Sequence, residues 1–291
     1  MTTLSIIILS YNTKDLILHC IESIVKQYEK ELKNKTLEIV VVDNASSDAS
    51  ASQISNLKSQ ISNLQIILNK DNVGFAKGCN IGAKVASGMY ILFLNSDTQV
   101  KDRGFLKMIE FLEQNNKIGI LGGKLLNSDG SLQASGGNFY NLWNLFLVLI
   151  GGERFGLTRK SPKKIEKVDW VSGACMMIKK ELFERLSGFD EHFFMYVEDV
   201  ELCFRVKKLG LSTYFYPDCE VKHVSLGSSN KTFAIINIYK GILYFYSKHK
   251  GYFEYSIARL FLTVKAVILI FIGIIFSNID LKDRYKKALN F

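Results

Sequence analysis

With 291 residues, 48% of them hydrophobic, 12% aromatic and only two prolines, the chain can bury one large or two modest cores and is too apolar to be disordered. Its formal charge of +9 fits an anionic partner (nucleic acid, an anionic membrane surface or a phosphorylated substrate) without choosing among them. The five cysteines, Cys20, Cys79, Cys175, Cys203 and Cys219, are odd in number and form no CxxC pair. That argues against a disulfide scaffold or zinc knuckle and for reduced thiols in the cytoplasm.

The opening stretch, MTTLSIIILSYN, has no basic leader, and its apolar run from Leu4 to Leu9 is too short for a signal peptide. It reads as a first strand. Three more β-branched runs follow, LEIVVV (37–42), LQIIL (64–68) and YILFL (90–94), separated by segments that can be helical. Strands apolar on both faces and alternating with helices belong to a parallel sheet covered on both sides. Ligands of such sheets bind beyond the carboxyl ends of the strands. SYN (10–12), DNASSD (43–48) and NSD (95–97) fall there.

The segment 53–66, QISNLKSQISNLQI, repeats at seven residues and sets Ile54, Leu57, Ile61 and Leu64 on one helical stripe. Two heptads are too few for a free coiled coil, so the expectation is a surface helix on the sheet with Leu64 near its end. From Asn115 to about Ser161 glycines mark loops and turns. The apolar stretch 142–150 is too short to cross a bilayer and suits an acceptor groove, a membrane interface or plain core packing.

Near the end, the 17 mostly apolar residues from Leu260 to Phe276 are flanked by Arg259 and by Lys282, Arg284, Lys286 and Lys287. As a helix they measure about 25 Å, short of a hydrocarbon core of roughly 30 Å. Basic flanks and neighbouring aromatics favour an in-plane or re-entrant membrane helix over a span.

No G-x-G-x-x-G follows the first strand, and GILGGKLL (119–126) is one residue short of a P-loop and lacks its Ser/Thr. What the chain places at strand ends is acidic. Asp43 can accept hydrogen bonds from a base or ribose, or cap the next helix. Asp97 offers the carboxylate oxygen that magnesium or manganese on a diphosphate prefers. Glu198 and Asp199 open an amphipathic helix that carries an i,i+4 pair, Glu201 with Arg205, and a C-capping Gly210. A helix N-terminus holds a carboxylate ionised, as a general base requires, although N-capping alone would also explain Asp199. His223 follows a strand-like CEVKHV.

Taken in order, SIIILSYN, EIVVVDNASSD, NVGFAKGCNIGAKVASGMYILFLNSDTQV, DWVSGACMMIKKELFERLSGFDEHFFMYVEDVELCFRVKKLG and YPDCEVKHVSLGSS resemble a family 2, GT-A-fold glycosyltransferase, and most closely its rhamnosyltransferase-like branch. The resemblance covers roughly residues 4–229. It implies an α/β GT-A fold, with a Rossmann-like, mostly parallel central sheet flanked by helices and a C-terminal helical, membrane-associated extension. Its domain division is 1–230 for the catalytic domain, split into a nucleotide-binding half (1–100) and an acceptor-binding half (101–230), with 231–291 as the extension.

The family's Asp-x-Asp stands here as Asn95-Ser96-Asp97. By this matching Asp97 binds Mg2+ or Mn2+ on the donor diphosphate with His223 as a further ligand, and Asn95 lies near the ribose. Asp43 contacts the nucleobase with Tyr11 and Asn12 nearby. Asn72, Gly74 and Asn80 lie along the nucleotide, and Trp170, Gly173 and Ala174 beside the donor sugar and acceptor. Asp199, with Glu198 as the alternative, is the catalytic base. One base and no second nucleophilic carboxylate implies inversion at the anomeric carbon.

The resemblance favours dTDP-L-rhamnose as donor, with UDP-hexoses second. It implies a saccharide or lipid-linked saccharide as acceptor in bacterial cell-surface polysaccharide synthesis. The expected place is the cytoplasm, peripheral or monotopic at the inner face of the cell membrane, with no nucleic-acid partner and with a homodimer as one compatible assembly. A processive synthase would carry several spans and Q-x-x-R-W, and a sugar-nucleotide pyrophosphorylase a glycine-rich first loop; neither pattern is here. A non-catalytic membrane adaptor is the remaining alternative.

Overall fold

A computed structural model describes residues 1–224 and 231–289, so the part of the His223 motif after Val224 lies outside the described residues. The first half alternates as expected: β1 (Leu4–Ser10), α1 (Lys14–Lys33), β2 (Leu37–Asp43), α2 (Ser50–Leu57), β3 (Leu64–Leu68), α3 (Phe75–Val85) and β4 (Tyr90–Asn95). All seven residues of β2 and six of the seven in β1 are buried, which is why these strands read as apolar runs without alternation.

They pair in parallel in the order β3-β2-β1-β4. Register sets the site. Ser10 lies opposite Asp43 and Leu9 opposite Asn95, so the three strand ends deliver Tyr11, Asn44 and Asn95–Asp97 to one edge.

The chain continues through β5 (Thr98–Val100), α4 (Gly104–Gln114), β6 (Ile118–Leu126), β7 (Leu132–Gln133), β8 (Gly136–Gly137), α5 (Leu142–Leu149) and a 3-10 turn at Gly152–Phe155. Then come β9 (Arg159–Lys160), β10 (Glu166–Val168), β11 (Trp170–Val171), β12 (Cys175–Lys179), α6 (Lys180–Arg185), α7 (Glu198–Lys208) and β13 (Ser212–His223). β12 runs antiparallel between β4 and β6, and β13 lies parallel to β6, extending the sheet to ten strands. β11, β8 and β9 form a small second sheet.

Two expectations are corrected. The heptad segment is not one helix: α2 stops at Leu57, Asn63 takes a left-handed turn (φ 66°), and Leu64 opens β3 opposite Ile39. Ile54 anchors α2 at full burial, and from Leu64 onward pairing with β2 outweighs the helical pattern. The glycine-marked region also contains a central strand, β6. Its glycines admit close neighbours, since a Cβ at Gly122 would lie 2.3 Å from Val171 Cβ and one at Gly123 2.7 Å from Cys175 Sγ. All five thiols are buried and free.

The C-terminal segment forms α8 (Lys231–His249), α9 (Tyr252–Ile275) and α10 (Ile279–Ala288). It packs into the core rather than beside it: Tyr239, Ile242, Leu243, Phe245 and Tyr246 of α8 belong to one buried cluster with Trp170, Val197, Val200 and Cys203. The residue 230/231 boundary therefore does not coincide with a gap in packing. Helix α9 is buried along a single stripe, Ala258, Leu262, Ala266 and Gly273, and is exposed on the opposite one.

Candidate active site

Beyond the carboxyl ends of β1, β2 and β4 lie two adjoining compartments of about 330 Å³ and 350 Å³. Both are lined by Phe75, Asn95 and Met195, which form their common wall. Tyr11, Asn72, Gly74, Ser96 and Asp97 line the first. Trp170, Gly173, Ala174, Glu198, Asp199 and His223 line the second. Residues as far apart in sequence as Tyr11 and His223 thus share one cleft beyond the strand ends.

The first compartment is shaped by amides. Asn44 donates to Asn72 Oδ1 (3.2 Å) and to the Gly74 carbonyl (3.1 Å), and accepts from Asn69 (2.7 Å). Gly74 is required by geometry: its φ is 85°, and a Cβ there would sit 2.4 Å from the Phe194 carbonyl oxygen. Asp43 ends β2 almost fully buried, with Oδ2 accepting from Ser46 N (2.9 Å) and Oδ1 buried without a protein partner. An orphaned carboxylate oxygen at a strand end calls for a donor from elsewhere. Glu38, equally buried in β2 at the opposite end, is fully answered by Ser5, Gln65 and Ser87 and reads as structural.

Three sequence-derived positions line neither compartment: Asp43, described above, Asn80 and Asn12. Asn80 does not line the cleft: its amide bridges α3 to the loop before α7, accepting from Phe189 N (2.9 Å) and donating to Phe189 O (2.9 Å) and Glu191 (3.1 Å). Every polar atom is used in holding that loop. Asn12, at φ 52°, turns its side chain to Ser47 (2.8 Å to the backbone N–H) and so buttresses the loop after β2.

At the junction, His223 Nε2 lies 3.2 Å from Asp97 Oδ1 and 3.2 Å from Asn95 Nδ2, while Nδ1 meets Gln133 Oε1 at 2.6 Å. If Nδ1 carries the proton and donates it to Gln133, the Nε2 lone pair accepts from Asn95 Nδ2 and lies beside Asp97 Oδ1. Two such donors about 3 Å apart match two adjacent vertices of an octahedron with metal–ligand distances near 2.1 Å. Among the described residues no group of three or more His, Cys, Asp or Glu side chains converges on one point. A cation here would take two ligands from these side chains and the rest from outside the protein, as magnesium commonly does.

Asp199 and Glu198 are adjacent but differ in environment. Asp199 reaches solvent in part, its Oδ2 accepting from Gly173 N (3.0 Å) and its Oδ1 from Val200 N (2.8 Å). Burial raises its pKa above the ordinary aspartate value, against the lowering pull of these N–H groups and of Arg159. Glu198 is 5% exposed with Oε2 unpartnered, and burial followed by the Asp199 charge pushes its carboxyl well above the usual range. Burial and the neighbouring charge thus favour the protonated form of Glu198 more strongly than that of Asp199, whose N–H donors and Arg159 oppose the shift. Neither is an N-cap; Val197, in left-handed geometry at φ 73°, takes that place.

A stability consequence follows from Glu198. Its folded pKa exceeds its unfolded one, so its contribution is intact below about pH 4.5 and declines as pH rises toward the folded value. Glu198→Gln is expected to raise the melting temperature relative to the parent at pH 8, with the gap closing at pH 4. Thermal unfolding across that range measures it, and a gap independent of pH would contradict the assignment.

Arg159 and Gln133 are site residues that motif reading missed. Arg159 lies over the Trp170 ring (5.4 Å) and faces the second compartment from β9, a two-residue strand with no sequence signal.

The profile described as Glycosyl transferase family 2 matches residues 5–187. The chain belongs to glycosyltransferase family 2. Among curated relatives, it is 28% identical to the rhamnosyltransferase WbbL of Escherichia coli K12 over 46% of this chain and 52% of that protein. It is 26% identical to the low-salt glycan biosynthesis hexosyltransferase Agl10 of Haloferax volcanii, over 72% of this chain and 63% of that one. The matches thus span about half to under two thirds of those relatives.

The fold is that of GT-A family members. The TarS fragment 1–349 of S. aureus, solved with UDP-GlcNAc, superposes with a TM-score of 0.62 at 16% identity, covering 99% of this chain and 80% of that one. The mannosyltransferase PcManGT of Pyrobaculum calidifontis, solved with GDP-Man and Mn2+, gives 0.60 at 16% identity, covering 98% and 84%.

Proposed function

We propose that this family 2 protein is an inverting glycosyltransferase that moves a sugar from a nucleotide diphosphate donor to a saccharide or lipid-linked saccharide in bacterial polysaccharide synthesis. The observation that carries it is the juxtaposition of Asp97 and His223 at one wall of the cleft with a single base-competent carboxylate, Asp199, in the adjoining compartment. In this reading the nucleotide occupies the compartment of Tyr11, Asn72 and Gly74, with Asp43 Oδ1 accepting a hydrogen bond from the base or ribose. The donor sugar and acceptor meet beside Trp170, Gly173 and Ala174.

Asp97 and His223 would hold a divalent cation, and the amide at Asn95 leaves that site one carboxylate poorer than the family's Asp-x-Asp. When bound, the ion neutralises charge on the departing diphosphate. Asp199, oriented by Gly173 N and Val200 N, takes the acceptor hydroxyl proton as the oxygen attacks the anomeric carbon from the face opposite the nucleotide. Glu198 stays neutral, sparing the site a second negative charge.

The rhamnosyltransferase names among relatives favour dTDP-L-rhamnose, with UDP-hexoses second. Membrane placement at the inner face of the cell envelope is supported by the apolar face of α9 and the charge of +9. Incubation with a panel of nucleotide sugars and lipid-linked acceptors, followed by NMR of the product, tests the reaction. Inversion at the anomeric carbon is expected; retention would exclude a single-displacement mechanism.

A further inference from the structure

We infer that α5 and α9 together form one docking face for an anionic phospholipid bilayer, with α9 lying in the membrane plane and α5 extending the contact toward the acceptor compartment. The inference goes beyond the membrane placement proposed above, on which it rests, by naming the surface and its orientation; it does not depend on the transfer chemistry.

Helix α9 has the length to cross a bilayer, 24 residues or about 36 Å. Its packing argues against crossing. Ala258, Leu262, Ala266 and Gly273 form a buried stripe from the second turn of the helix to its last, and α10 folds back so closely that a Cβ at Gly273 would lie 2.9 Å from Lys282 N. Spanning would strip this stripe from the protein. The opposite stripe is bare: Leu260, Val264, Val267 and Phe271 are between 46% and 61% exposed at helical spacing.

Helix α5 continues that surface. Phe146 packs on Phe261 of α9 (6.0 Å between centroids), Lys265 donates to the Val148 carbonyl (3.3 Å), and Trp143 stacks on Phe146 (5.8 Å). Only Asn144 and Leu145 of α5 are buried, while Trp143 and Ile150 are 66% and 62% exposed. Such a two-helix apolar face exceeds the scattered exposure normal for a monomer.

Charge selects the occupant. Exposed Arg259 on α9 and Lys286 and Lys287 on α10 accompany the apolar stripe in a chain of net charge +9, the combination that holds an interfacial helix on anionic lipid. Tryptophan at the margin suits the headgroup level. Tyr140, two residues before α5, lines the acceptor compartment, so the face ends beside the place where a lipid-linked acceptor would arrive.

The test is flotation of the full chain with vesicles of phosphatidylcholine alone or mixed with phosphatidylglycerol, at low and high salt. Two variants change only exposed residues outside the cleft: Trp143→Glu with Ile150→Glu, and Val267→Glu with Phe271→Glu. Wild type is expected to float with the anionic vesicles, less so at high salt. Each variant should lower the bound fraction about tenfold or more, because each puts charge where apolar burial is needed. Melting temperature and its shift with nucleotide report folding and the donor site separately, so failure of nucleotide binding would overturn the proposed function and leave flotation unaffected.

Flotation retained by the α5 variant and lost by the α9 variant would remove α5 from the face. Equal flotation by wild type and both variants would overturn the inference. So would absence of flotation together with a wild-type dimer, seen by light scattering, that both variants split.

Discussion

Asp199→Asn is expected to reduce kcat by about a thousandfold or more while leaving nucleotide binding unchanged. The amide oxygen can still accept one of the two N–H bonds from Gly173 and Val200, so the start of α7 should stay in place at a cost of about 1 kcal/mol. What is lost is the proton acceptor. Glu198 is expected to be a poor substitute, because it is buried and its surroundings favour its protonated form. Glu198→Gln should accordingly retain most of the activity, and the acid limb of the parent's rate profile should lie above the ordinary aspartate range, following the raised pKa of Asp199. Steady-state kinetics on both variants, with nucleotide affinity measured alongside, separates the roles. Loss of turnover in Glu198→Gln with retention in Asp199→Asn would reverse them.

The second large effect concerns Glu201, two residues after Asp199 on α7. It is fully buried and accepts from Arg205 Nε (2.8 Å), Lys248 Nζ (2.8 Å) and His249 Nε2 (2.9 Å). Two of these come from α8, so one carboxylate fastens the C-terminal helices to α7, the helix that carries Asp199 in its first turn. Glu201→Ala should destabilise the protein by about 3–5 kcal/mol, the range for removing one partner of a buried ion pair and leaving the others uncompensated. Lys248 keeps Asp190 (2.7 Å) and Arg205 keeps two carbonyls, which places the effect toward the lower end.

His249 adds a pH term to that junction. Burial lowers its pKa despite the Glu201 contact, so it is neutral in the folded protein over more of the acid range than in the unfolded chain. Its contribution is therefore present above the ordinary histidine value and lost as pH falls through the folded one. Denaturant unfolding at pH 7.5 measures the Glu201 effect. A change under 1 kcal/mol would mean that the hairpin and α7 are held independently of this cluster.

The first hundred residues were legible because their signals are local. Apolar runs five or six residues long, ended by small polar groups, specify buried parallel strands and say which end faces a ligand. That rule singles out Asp43 and Asp97 as strand-end carboxylates, while Asp199 is marked by its place at the start of an amphipathic helix and by the family motif. What escaped is set by contacts between distant residues. β6 carries three glycines within its first six residues, and only the close approach of Val171 and Cys175 explains why a central strand would.

The heptad of 53–66 has a real helical pattern that pairing with β2 overrides from Leu64. Asn80 carries no local mark of its long-range bridge to Phe189, and Arg159 reaches the site from a strand two residues long. The hairpin from Lys231 to Ala288 reads from composition as an appendage because its aromatics suit an interface. Yet Tyr239, Phe245 and Tyr246 point into the main core.

The most direct test of the account is thermal stabilisation of the purified protein by dTDP, UDP and GDP, each with and without Mn2+ or Mg2+, beside Asp97→Ala. Ligand linkage makes the shift grow as ligand exceeds its dissociation constant, about 2.7 kcal/mol at a hundredfold excess. A metal-dependent shift with one nucleotide, lost in the variant, is expected and would also name the donor class. No shift with any nucleotide, or an equal shift in Asp97→Ala, would contradict a donor site built at Asn95-Ser96-Asp97.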